Sequence, residues 1–306
     1  MANDGGWMPV PPGVGRVVTA MATPMLDDGS LDLAGAEQLA DHLVTTGTET
    51  VLVNGTTGES PTLAGNEPWQ LLAVVREAVG ERATVMMGTG SNSTASTVDA
   101  TARATDEGAD SILVVTPYYN RPDQRGLLAH FTAVAASTHL PIVMYDIPFR
   151  TGREIETPTL IELAQTPNLA GVKDATTDLG KLGDVIAATR GVDGGFGIWS
   201  GADEVNLPVL AVGGSGVVSV AAHLCGPEIA AMIAVFPTAP AAARDLHLRC
   251  LGLHRALFAE PSPAPLKGGL TALGLPGGPV RPPLADASQH VVDRVVDAYH
   301  TLAAAR

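Results

Sequence analysis

The chain has 306 residues, of which 45% are hydrophobic but only 4% aromatic, so a large core is available if Val, Leu, Ile and Ala build it. That length exceeds most single domains, though barrels of alternating strands and helices reach it as one unit. The net charge of -14 at pH 7 excludes nucleic acid and anionic membranes as partners, because both are held by clustered Lys and Arg. Any anionic substrate must therefore meet a local positive site.

Residues 1–14 form a polar leader rich in Gly and Pro, with neither the basic start nor the apolar stretch of a signal peptide. Cys225 and Cys250 are the only cysteines and the eight histidines show no metal-ligand spacing, which predicts neither a disulfide framework nor a zinc site. The expected setting is a reducing cytoplasm. The most apolar stretch, around residues 209–235, is broken by Gly213, Gly214, Gly216 and Pro227, so no membrane span is predicted.

In chain order, residues 14–20 have the branched composition of a strand. Residues 31–46 carry Leu33, Ala36, Leu39, Ala40, Leu43 and Val44 on one helical face, with Gly47 as the stop. The alternation continues with strands at 50–53, 83–87, 111–115, 141–145, 169–173, 195–199 and 216–220. Helices fall between them at 67–79, 94–107, 126–137, 158–165, 179–189 and 204–211, and the last helix of the series at 227–235. Eight strand-helix units predict a closed parallel (β/α)8 TIM barrel over 15–238. A doubly wound sheet is the alternative, but no Gly-x-Gly-x-x-Gly follows the first strand. From 239 to 306 the pattern is helical, near 241–258, 266–273 and 286–305, with Pro- and Gly-rich turns between, and reads as a helical appendage.

Chemistry in such a barrel gathers at the C-terminal strand ends. Lys173 ends the sixth strand in Gly171-Val172-Lys173-Asp174, where burial among apolar groups would lower an amine's pKa enough to make it an imine-forming nucleophile. Standing alone, such a lysine would more often snorkel to solvent. Tyr145 and Arg150 lie in Tyr145-Asp146-Ile147-Pro148-Phe149-Arg150 one unit earlier. There a phenol can pass protons to the imine and a guanidinium can grip a carboxylate. After the second strand, Asn54-Gly55-Thr56-Thr57-Gly58-Glu59 offers two hydroxyls and flexible backbone N–H groups suited to a carboxylate, although it also reads as a plain turn. Tyr118 and Tyr119 sit on a loop bounded by Pro117 and Pro122, where aromatics serve either presentation to a site or interface packing. Gly201 and the run 213–219 containing Val218 permit close approach of backbone to a ligand or simply tight packing.

Four of these stretches, in chain order Gly55-Thr56-Thr57-Gly58-Glu59, Tyr118-Tyr119-Asn120-Arg121-Pro122, Tyr145-Asp146-Ile147-Pro148-x-Arg150 and Gly171-Val172-Lys173-Asp174, resemble over almost the full length the 4-hydroxy-tetrahydrodipicolinate synthase (dihydrodipicolinate synthase) family of lysine-dependent pyruvate aldolases. The resemblance implies an imine between Lys173 and pyruvate, whose carboxylate rests on Thr56 and Thr57. The resulting enamine attacks the aldehyde of L-aspartate-4-semialdehyde. Tyr145, Thr56 and Tyr119 would relay protons, Tyr119 coming from an adjacent subunit of a homotetramer. Arg150 would hold the second substrate's carboxylate, while Gly201 and Val218 would offer backbone contacts. No metal or organic cofactor is implied, since the imine itself draws electrons from the reacting carbon. Aldolases for 2-keto-3-deoxy sugar acids or sialic acid are the rival enzymes, and a catalytically silent paralogue with a binding or regulatory role is the alternative of another class. Lysine-sensitive members carry histidines after the cradle, whereas this chain has Gly65 and Pro68, with Ser96 where glutamate is frequent. Weak or absent inhibition by lysine is therefore expected. Ala202, where many members have an acid, is the other departure.

Overall fold

A computed structural model describes residues 10–192 and 194–306. Most of the expected leader therefore lies outside the described residues. The elements in chain order are β1 (Val17–Ala20), α1 (Leu33–Thr45), β2 (Thr50–Val53), α2 (Glu67–Val79), β3 (Thr84–Gly88), α3 (Thr94–Asp106), β4 (Ser111–Val115), α4 (Gln124–Ala135), β5 (Ile142–Asp146), α5 (Pro148–Thr151) and α6 (Thr157–Leu163). They continue with β6 (Leu169–Asp174), α7 (Leu179–Thr189), β7 (Gly197–Ser200), α8 (Asn206–Ala211), β8 (Gly216–Ser219), α9 (Ala222–Val235), α10 (Pro240–Leu257), α11 (Ala264–Ala272) and α12 (Gln289–Ala303). The strands form a closed parallel barrel in sequence order, as the alternation predicts. By contacts the chain divides into two compact units. One is built from the described residues up to Arg16 with Met86–Val218, the other from Val17–Val85 with Ser219–Arg306.

In the first unit the strands are buried on both faces and read as near-continuous apolar runs, as parallel strands covered by helices must. Helices start where a short polar side chain accepts a hydrogen bond from the first turn. Ser93 does this for α3, Asp123 for α4 and Asp178 for α7. The large residue at the centre of this unit is Trp199 of β7, fully buried, whose indole N–H donates to Gly15 O at 2.9 Å. Its ring occupies space that two glycines leave open: a Cβ on Gly197 would lie 2.5 Å from the indole, and one on Gly171 would lie 2.1 Å from Gly197 O and 2.7 Å from the ring. Gly171→Ala is therefore expected to destabilise the protein by about 3 kcal/mol, because backbone cannot yield as a side chain can. A denaturant midpoint equal to that of the parent would contradict this.

The second unit holds β1 and β2 with α1, α2 and α9 to α12. Helix α1 buries Ala36, Leu39, Ala40 and Leu43, and Asp32 caps it by accepting from Gly35 N at 2.8 Å. Helix α9 begins at Ala222, five residues before the Pro227 expected from sequence, and breaks at Cys225 (φ -127°, ψ 33°). Proline cannot donate to the carbonyl four residues back. That carbonyl, His223 O, instead accepts from His42 Nε2 at 2.9 Å, so the broken turn leaves no unpaired acceptor there. The short helix α5 is absent from the sequence reading. Its Pro148 start and its stop at Gly152 (φ +70°) enclose a single turn, too brief to show periodicity.

Candidate active site

Lys173 and Tyr145 are register partners on β6 and β5, so parallel pairing alone places them side by side at the strand tips. The Lys173 amine lies 4.0 Å from the centre of the Tyr145 ring, and the lysine is 5% exposed. Burial pulls the Lys173 pKa down to about 7, with Arg150 assisting and the buried Asp203 opposing. A lysine at its ordinary value would be neutral in fewer than about one molecule in a thousand at pH 7, whereas this one is neutral in roughly half.

Neighbouring backbone keeps the pair in place. Thr116 donates through both its N–H and its hydroxyl to Tyr145 O, each at 2.9 Å. Gly201 N donates to Asp174 O at 2.7 Å. A Cβ at Gly201 would stand 3.1 Å from Lys173 Cγ, so glycine here makes room for the lysine stem. Val218 of β8 is buried. Arg150, at the end of α5, is exposed but close enough for its charge to act on Lys173. Tyr119 stands apart from this buried set, 90% exposed on a left-handed residue (φ +73°). Its loop is nevertheless anchored, because Asn120 Nδ2 donates to Asn92 O at 2.7 Å and Arg121 Nε donates to Gly152 O at 2.8 Å.

Thr56 and Thr57 belong to the second unit, Thr57 buried and Thr56 half-buried. Their loop turns on two left-handed residues, Asn54 (φ +56°) and Glu59 (φ +57°), and Thr23 Oγ1 ties it down by donating to Gly58 O at 2.7 Å. Glu59 turns inward. Its carboxylate meets Lys267 Nζ of α11 at 2.7 Å, both side chains being 1% exposed, and accepts from Arg281 N at 2.8 Å. The Arg281 guanidinium holds Glu67 bidentately at 2.6 and 2.7 Å and donates to Thr62 O and Gly29 O. The helical C-terminal region therefore braces the loop that carries both threonines.

Four charged residues of consequence, Asp146, Asp174, Asp203 and Lys181, have no role in the sequence reading, which carries the first two only as motif neighbours of Tyr145 and Lys173. Strand alternation could have flagged the first two, since each follows a site residue within a buried strand. Asp203 lies two residues beyond Gly201 and is held by Asn206 Nδ2 at 3.1 Å. Among the described residues one set has metal-ligand proximity: Cys225, Cys250 and His254, all buried, with ligand atoms within 4.8 Å of one another. The Cys225 thiol already donates to Ala221 O at 3.2 Å, which uses its protonated form.

The dihydrodipicolinate synthetase family model matches residues 13–301. This chain belongs to the dihydrodipicolinate synthetase family. The 4-hydroxy-tetrahydrodipicolinate synthase of Moorella thermoacetica is 45% identical over 285 residues, covering 93% of this chain and 97% of its own. The enzyme of the same name from Synechococcus sp. (strain CC9605) is 49% identical, covering 90% of each. Among solved structures, the lysine-bound dihydrodipicolinate synthase of Cyanidioschyzon merolae superposes with a TM-score of 0.91 at 41% identity, covering 94% of this chain and 98% of that one. Family membership agrees with the closed eight-stranded barrel. No helix among the described residues is long and apolar enough to cross a membrane.

Proposed function

We propose that this chain condenses pyruvate with L-aspartate-4-semialdehyde to give 4-hydroxy-tetrahydrodipicolinate, through an imine on Lys173. The observation that carries the reading is a buried lysine amine, poised near pH 7, against a tyrosine on the adjacent strand. The neutral amine adds to the ketone of pyruvate and water leaves, forming an iminium. Loss of a methyl proton gives the enamine, whose carbon attacks the aldehyde. The amino group of the second substrate then displaces Lys173 and closes the ring.

Tyr145, Thr56 and a neighbouring subunit's Tyr119 serve as the proton relay, since a phenol with an ordinary pKa near 10 works better in a hydroxyl chain than as a resident base. Thr56 and Thr57 hold the pyruvate carboxylate, Arg150 the carboxylate of the semialdehyde, and Gly201 with Val218 contribute backbone. Exposure of Tyr119 in the single chain supports its use between subunits of a homotetramer. The barrel at 15–238 carries the chemistry and the helical region at 239–306 supports it, in a cytoplasmic enzyme of lysine and diaminopimelate biosynthesis.

The decisive experiment is borohydride reduction in the presence of pyruvate, followed by mass spectrometry of the peptide holding Lys173. A reduced adduct on that lysine is expected, and its absence would end the imine reading. Turnover with the semialdehyde should exceed turnover with any 2-keto-3-deoxy sugar acid. Because only the neutral amine adds to the ketone, kcat/KM for pyruvate should rise about tenfold from pH 6 to pH 8 and then level off. A flat profile across that interval would contradict a Lys173 pKa of about 7. With Gly65, Pro68 and Ser96 in place of the lysine-binding set, sub-millimolar lysine should leave the rate nearly unchanged.

A further inference from the structure

One step beyond the Tyr145 and Lys173 pair, the same register aligns Asp146 with Asp174. Successive strand residues face opposite sides, so these two carboxylates lie back to back with the site, on the side facing α7. There Lys181 Nζ reaches Asp146 Oδ2 at 2.7 Å, Glu154 Oε1 at 2.8 Å and Asp174 Oδ2 at 3.8 Å. Lys181 and both aspartates are buried, whereas Glu154 is 45% exposed. The first turn of α7 is aimed by Asp178, which accepts from Lys181 N at 3.0 Å. Ile155 N donates to both oxygens of Asp146 at 3.2 Å, and Thr176 donates to Asp174 Oδ1 through its N–H and its hydroxyl.

Two buried carboxylates on adjacent strands repel one another unless a cation lies between them. Burial pushes Asp146 up to about 6 and raises Asp174 as well, while the Lys181 charge opposes the rise at both. Asp146 O accepts from Ala175 N at 2.9 Å and Asp174 O accepts from Gly201 N at 2.7 Å, so the same residues close the backbone ladder at the tips of β5, β6 and β7. Spreading of the aspartates would open that ladder and move Lys173 off the Tyr145 ring.

We propose that Lys181 is a positioning residue, which holds the tips of β5 and β6 together from the helix side and so sets the spacing of Lys173 and Tyr145. Its kinetic consequences rest on the imine reading, while its structural consequence does not. Lys181→Met should speed amide exchange at Ala175 by about tenfold beyond any change elsewhere in the protein. It should lower kcat per folded molecule by about 30- to 100-fold while KM for pyruvate stays within about threefold, because reacting groups are misplaced and substrate contacts are kept. Lys181→Arg should recover most of the rate, and Glu154→Gln should leave rate and exchange unchanged, since its carboxylate is half in solvent and on neither strand. Should Lys181→Met not fold, Lys181→Gln removes the cation, leaves both carboxylates in place and is read the same way. Unchanged exchange at Ala175, or acceleration shared uniformly by the whole molecule, would overturn the proposal. If the parent protein traps no pyruvate, the imine reading fails and the exchange at Ala175 still decides the role of Lys181.

Discussion

Lys173→Met is expected to lose roughly 10⁴-fold or more in turnover, since no other group can form the imine. It is also expected to stabilise the fold. The amine's pKa falls from an ordinary 10.5 to about 7 on folding. A depressed pKa means that stability is greatest above the unfolded value and declines as pH falls, levelling off below the folded one. At pH 7 the buried amine accordingly costs on the order of 4 kcal/mol, which methionine removes. The thermal midpoint of the variant should exceed that of the parent by about 5–10 °C at pH 7. The gap should narrow as pH rises toward 10. Retained turnover in this variant would eliminate Lys173 as nucleophile. A midpoint below that of the parent would show that the amine is not held against its own charge.

Lys267→Met is expected to give the largest loss of stability. Glu59 and Lys267 are a buried pair at 2.7 Å, and removing the ammonium leaves the Glu59 carboxylate accepting from the Arg281 N–H without its buried cation. Breaking such a pair from one side costs about 3–5 kcal/mol, which lowers the midpoint by about 10 °C. Glu59 also sets the left-handed corner after Thr56 and Thr57, so KM for pyruvate should rise in the same variant. Adding Glu59→Gln should restore part of the stability, because the uncompensated charge is then gone. A midpoint within about 2 °C of the parent would show that the pair contributes nothing net.

Much of the architecture could be read without coordinates. The boundaries of β2, α2, β4 and α7 agree with their hydrophobic patterns residue for residue; Gly80 closes α2 and the Asp178 cap opens α7. The start of α9 and the single turn of α5 could not be read. One depends on a carbonyl taken up by His42 from another helix, the other is shorter than any period. In the site, the pairing of Lys173 with Tyr145 was legible because consecutive strands of a parallel barrel are neighbours. The bracing of Glu59 by Lys267 was not, since 208 residues separate them.

What the amino-acid order determined by itself was the succession of eight strands and the identity of the polar residues at their tips, because local periodicity and strand alternation act over a few residues. Which of those residues would be desolvated was decided only by tertiary packing. An amine becomes neutral near pH 7, and a lysine such as Lys181 comes to lie between two carboxylates, through the exclusion of water by segments far apart in the chain.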